Sequence, residues 1–183
     1  RKLSNAKLAD DSLAYITYIA DNISAAGDRR EEIIEGDDEN NKRKGIFDRN
    51  APLASVFNIL NGNNAQFTYP FKMLSEINYP NKKRLDCTPG DYSKVVVKLR
   101  EQLSGMEVSA SYLNSLLHLL ESTTSFIPSS TNTKELMDIS FYDHSKTTAA
   151  IASCLYYYLG PTNYKEQLFK NEKEFRAKNA YLL

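Results

Sequence analysis

Apolar residues recur at Leu13, Ile16, Ala20 and Ile23, spaced i, i+3, i+7 and i+10, with Tyr15 and Ile19 widening the stripe. This period predicts a helix from about Asp10 to Ala26, stopped by Gly27. The pattern then lapses. Residues 28–50, with EEIIEGDDENNKRKG at their centre, carry few apolar positions and read as a mobile charged loop whose acidic and basic halves form a solvated surface. Residues 52–80 alternate short apolar runs (SVFNIL, FTYPFKML, INYP) with Asn, Gly and Pro, so 52–86 is expected to form a small hairpin or irregular β-containing insert that ends in Lys82, Lys83 and Arg84.

Helical periodicity returns after Pro89-Gly90-Asp91, a turn and start signal for a helix through Leu103. A further helix is predicted from about Ser109 to Thr124, carrying Leu113, Leu116, Leu117 and Leu120. Pro128 in FIPSSTN marks a break, and Ser129, Ser130 and Thr131 are candidates to cap the next helix. That helix, DISFYDHSKTTAAIASCLYYYL at 138–159, ends at Gly160-Pro161, and a last charged helix is expected over 164–177. The fold class is mainly α, with no internal repeat.

Composition bounds the partners. The 183 residues suit one domain, and 23 Lys plus Arg against 23 Asp plus Glu give zero net charge. No whole-molecule field therefore draws the chain to nucleic acid, and any such contact must be local. Cys87 and Cys154 form no metal-binding spacing and fit reduced thiols, with Cys154 read as a small buried hydrophobe. No apolar run reaches the ~18 residues of a spanning helix and no signal pattern opens the chain, so a soluble, cytoplasmic protein without membrane contact is expected. Beginning at Arg1 and ending on Tyr181, Leu182 and Leu183, it reads as a piece cut from a larger protein.

Two residues stand out chemically. On a helical wheel, Thr147, Thr148, Ile151 and Leu155 fall within about 60° of His144, which places the imidazole on an inward face beside small residues. Such a ring takes either a hydrogen-bond partner or a metal. Asp21 lies opposite the isoleucine stripe, flanked by Ala14, Thr17, Ser24 and Ala25, all small enough to let another helix approach its carboxylate. Carboxylate and imidazole are ligands for Mg, Mn, Fe, Co, Ni or Zn ions, but a core histidine and a solvated aspartate explain the same spacing, which cannot join the two. His118, in SLLHLLES, reads as packing, with no carboxylate on its face. Arg29 and Arg30 follow the first helix as possible phosphate forks or as a plain surface pair. No glycine-rich phosphate loop, GxSxG, HExxH or Cys/His dyad is present.

LAYITYIADNISAAGDRR at 13–30, FIPSSTN at 126–132 and DISFYDHSKTTAAIASCLYYYL at 138–159 closely resemble, in this order, the N-terminal HD domain of the large subunit of type III-A (Csm) CRISPR effector complexes. NYKEQLF at 163–169 is similar to the stretch before that family's polymerase-like palm domain, while 31–125 match only loosely. The resemblance implies a permuted HD-superfamily helical domain. HD enzymes hold one or two metal ions through a first His, a His-Asp pair and a final Asp. ADNISAA maps the final Asp onto Asp21, and YDHSKTTAAIA maps the first His onto His144. The His-Asp pair is absent, so residues 1–183 are expected to be an incomplete HD domain, inactive alone, with the first helix missing and the palm domain following residue 183.

The function so implied is metal-dependent cleavage of single-stranded DNA, with Asp21 and His144 as catalytic metal ligands to a divalent ion (Mn, Ni, Co or Mg) and Arg29, Arg30 or Lys146 as phosphate contacts. ATP would bind only at the palm domain, which makes cyclic oligoadenylates. The implied partners are other Csm subunits, guide RNA, target RNA and the DNA substrate. A structural scaffold with degenerate chemistry is the alternative. A phosphohydrolase for small nucleotides is a weaker one.

Overall fold

The computed structural model describes residues 12–28, 47–61, 66–74 and 77–159. Most of the expected charged loop, Arg29, Arg30 and the expected last helix lie outside the described residues. Four α-helices and one 3-10 helix are present among them, with only isolated bridges between extended segments. The chain divides into two compact units, one of residues 1–27 and 145–183, the other of residues 28–144.

In the first unit, α1 (Ser12–Asp28), whose last residue, Asp28, already belongs to the second unit, buries Ile16, Ile19, Ala20 and Ser24. Tyr18, Ile23 and, from α4 (Phe141–Leu159), Ala152 and Leu155 pack against the two isoleucines. The predicted stripe is thus the core face, and Ser24 joins it although the sequence groups it with Asp21. Gly27 does not stop the helix: α1 runs through it to Asp28. Cys154 is exposed, against expectation. It follows Ala152 and precedes Leu155 on α4, and at about 100° per residue it falls outside the face that those two residues give to the core.

In the second unit, α2 (Pro89–Ser104) begins on a full capping box: Thr88 Oγ1 accepts from the Asp91 N–H at 3.2 Å, and Asp91 Oδ2 accepts from the Thr88 N–H at 3.0 Å. It packs on α3 (Tyr112–Thr124), and Val95 and Leu119 are buried. The expected start at Ser109 is three residues early, because Ser109 and Ser111 form a turn in which their hydroxyls meet at 3.1 Å. The insert is irregular. Ala54 bridges Thr68 and Thr68 bridges Asn81, with the 3-10 turn η1 (Val56–Asn61) between, so neighbouring short segments pair without forming a named strand. Asn58 holds the turn to Phe67 through both its amide oxygen and its amide nitrogen.

The FIPSSTN motif positions the start of α4. Ser129 N–H donates to Ile139 O at 2.8 Å and Phe141 N–H to Ile127 O at 2.7 Å, around an antiparallel bridge of Pro128 with Ser140. The cap is Ser140, not Ser129–Thr131: its Oγ accepts from the Asp143 N–H at 3.0 Å and donates to Asp143 Oδ2 at 2.6 Å. Ser130 and Asn132 instead bind the Glu135 carboxylate at 2.5 and 2.9 Å and brace their own loop. Ser140→Ala is therefore expected to lower stability by about 1 kcal/mol, and Ile19→Ala by about 3 kcal/mol, in urea unfolding followed by circular dichroism. An unchanged midpoint in Ser140→Ala would mean the cap is not what starts α4.

Candidate functional site

His144 stands in the first turn of α4, its backbone N–H donating to Ser140 O at 3.0 Å. Its side chain is 15% exposed, and Nδ1 lies 2.6 Å from Oδ2 of Asp28, whose side chain is 20% exposed. An ionised carboxylate accepts, so the arrangement suits a proton on Nδ1 and a charge-assisted contact. The imidazole thus has the hydrogen-bond partner that its half-buried position demands.

Asp28 is the residue that sequence reasoning missed, because it was assigned to the charged loop. A signal existed. Asp28 follows Asp21 by seven positions, two helical turns, which puts both carboxylates on one face of α1 once the helix is carried past Gly27. Asp21 itself is exposed, as a residue opposite the isoleucine stripe should be, and belongs to the first unit, whereas His144 belongs to the second. Lys146 is exposed on α4. His118 does not pack among leucines: its side chain is 82% exposed and Nδ1 sits 3.6 Å from Glu121 Oε2. The i+3 carboxylate was present in the sequence, and the ring follows the polar side of α3 while Leu119 turns inward.

Among the described residues no group of three or more His, Cys, Asp or Glu side chains is arranged to hold a metal ion. One feature of the His144 face does suit an additional polar group: Thr148 Oγ1, one turn further along α4, is buried without a hydrogen-bond partner.

A second polar cluster lies within the 28–144 unit. Arg84 pairs with Asp48 and, at 2.5 Å, with Asp86. The hydrogen bond from Arg84, helped by the Asn50 N–H, holds the Asp48 carboxyl below its ordinary value. Cys87 is 1% exposed and burial pushes its thiol up. Burial, aided by the neighbouring Cys87 and by Asp48 and Asp91, pushes the Tyr92 phenol up to about 12. These groups stabilise a turn; nothing in their chemistry matches a nucleophile activated for attack.

This mainly helical chain is similar to proteins of type III-A CRISPR systems. No protein-family model matches it. The single-strand-specific deoxyribonuclease Cas10/Csm1 (subtype III-A) of Enterococcus italicus is 42% identical, over all of this chain and 25% of the relative. That of Streptococcus thermophilus is 38% identical over 97% of this chain and 24% of the relative. Among solved structures, a Csm1-Csm4 cassette in complex with cA4 matches with a TM-score of 0.52 and 28% identity, over 75% of this chain and 15% of that one. The chain belongs to the Cas10/Csm1 family of type III-A CRISPR systems, and it spans about a quarter of the length of the curated relatives it matches. No helix among the described residues is long and apolar enough to cross a membrane.

Two measurements check this electrostatic and burial reading. A thiol reagent is expected to modify Cys154 in the native protein and Cys87 only on unfolding; prompt reaction of both would contradict the buried thiol. Because Asp48 binds its proton less readily when folded, its contribution to stability is present at neutral pH and lost as pH falls from the ordinary carboxylate value towards the lower folded one. Asp48→Asn should accordingly flatten the acid limb of a stability–pH curve, and an unaltered limb would assign that dependence elsewhere.

Proposed function

We propose that the chain is part of the HD-type nuclease domain of a type III-A large subunit, which cleaves single-stranded DNA. The observation that carries this reading is that relatives named single-strand-specific deoxyribonucleases in three organisms are 37–42% identical to it over 97–100% of its length. Asp21 and His144 are then two of the ligands to a divalent ion of the Mn, Ni, Co or Mg kind. The donor chemistry fits: an imidazole with one nitrogen engaged by a carboxylate, a second carboxylate, and an unsatisfied buried hydroxyl on the histidine's face. The chain contains no His-Asp dipeptide, so the remaining ligands would come from elsewhere in the subunit.

When bound, such an ion acidifies a water and polarises a phosphodiester. This chain's own residues orient and position. Asp28 engages His144, Ser140 and the FIPSSTN pairing set where the His144 helix begins, and Lys146, with Arg29 and Arg30, would meet backbone phosphates. Guide RNA and target RNA would act through the complex. In the intact subunit the palm domain would make cyclic oligoadenylates from ATP, a reading supported by the cA4 in the similar cassette.

A packing role for the second unit stands beside this. Phe47, Leu60, Ile77 and Tyr79 are each more than 70% exposed, apolar surface of the kind that neighbouring subunits cover. In the intact subunit, Asp21→Ala and His144→Ala are each expected to lower Mn-dependent single-stranded DNA cleavage by about 100-fold or more, with His118→Ala unchanged. Full cleavage by both variants, together with loss of neighbouring subunits from Ile77→Asp and Tyr79→Asp preparations, would favour the scaffold.

A further inference from the structure

We propose that Asp28 is a positioning residue for His144, its carboxylate holding the imidazole in the Nδ1–H tautomer so that Nε2 is the atom offered to the divalent ion. The inference rests on the nuclease reading above and adds to it a residue that the His, His-Asp and Asp ligand pattern does not include.

Three observations carry it. The first is the contact: 2.6 Å between side chains that are each at least four-fifths buried, where water competes little and a charge-assisted bond fixes geometry. A fully exposed ion pair of the same composition would mean little; His118 with Glu121, at 3.6 Å and 82% exposure of the histidine, is such a pair in this same molecule.

The second is where the partners come from. Asp28 is the last residue of α1 and His144 belongs to the first turn of α4, with 116 positions between them. The start of α4 is already fixed by the Ser140–Asp143 box and the pairing of 127–129 with 139–141. The ring therefore does not need Asp28 to place its backbone. What the contact adds is the rotation of the ring and the identity of the protonated nitrogen, the two properties that a metal ligand requires.

The third is a mismatch with local helix energetics. The C-terminal end of a helix presents unpaired carbonyls and disfavours a carboxylate, so Asp28 is not where helix stability would put an acid. Asp91 and Asp143 do sit where that rule puts them, in first turns. Asp28 departs from the rule at the position where it meets the imidazole.

The test uses the intact subunit with Asp28→Ala, Asp28→Asn and His144→Ala. Selective 15N-histidine labelling reports the tautomer of His144, its resonances identified by their loss in His144→Ala, in metal-free protein at about pH 8. Calorimetry with Mn2+ alone reports affinity. The wild type is expected in the Nδ1–H form. Asp28→Ala should shift the ring towards Nε2–H and weaken Mn2+ binding by about 10- to 100-fold. Asp28→Asn, whose side-chain oxygen still accepts from Nδ1–H, should keep the tautomer with a smaller loss of affinity. If Asp28→Ala proves misfolded by circular dichroism, Asp28→Asn alone decides, and undiminished affinity in a well-folded Asp28→Asn overturns the role. An unchanged tautomer or unchanged affinity in a folded Asp28→Ala does the same. Undiminished Mn2+ affinity in His144→Ala would instead remove the metal reading itself.

Discussion

The hydrogen bond between Asp28 and His144 is the constraint on which the placement of the half-buried imidazole depends. A half-buried imidazole cannot be left without a partner at little cost. The carboxylate that satisfies it comes from the last turn of the first helix, 116 positions away in sequence. Meeting this demand requires α1 to continue through Gly27 and α4 to start one turn before His144. Both conditions hold: the first helix reaches Asp28, and Ser140 caps the fourth.

The cap explains a motif that composition leaves obscure. FIPSSTN looks like a helix stop followed by cap candidates, yet its backbone pairs with residues 139–141, which lead into α4, and its own polar side chains close on Glu135. Breaking and starting a helix are here one act. The backbone groups freed by Pro128 and its neighbours are taken up by Ile139 and Phe141, as buried polar backbone requires. The loop is thus the fixture for the histidine helix, a positioning part, not a ligand-binding one.

Much of this was legible from periodicity and capping chemistry. The stripe of α1, the Pro89–Asp91 start of α2 and the existence of α4 follow from local rules, although α4 begins at Phe141 and not at 138, and the resemblance to the Csm large subunit was carried by three ordered motifs. What was not legible depended on distant partners or on which side of an apolar helix faces out. Cys154 and His118 look buried because their neighbours are apolar, but a helix residue's neighbours in sequence lie on other faces. Asp28 looked like loop because glycine is a strong stop signal; a tertiary hydrogen bond extends the helix by one residue beyond it. The irregular insert was anticipated as hairpin or irregular, and single bridges decided between them.

We propose that Asp21 and His144 bind one divalent ion in the intact subunit. Anomalous diffraction from the intact subunit soaked in Mn2+ tests it most directly. A Mn peak is expected within about 2.5 Å of both His144 Nε2 and an Asp21 carboxylate oxygen, with Asp28 still on Nδ1. A bound Mn2+ that touches neither residue would contradict it.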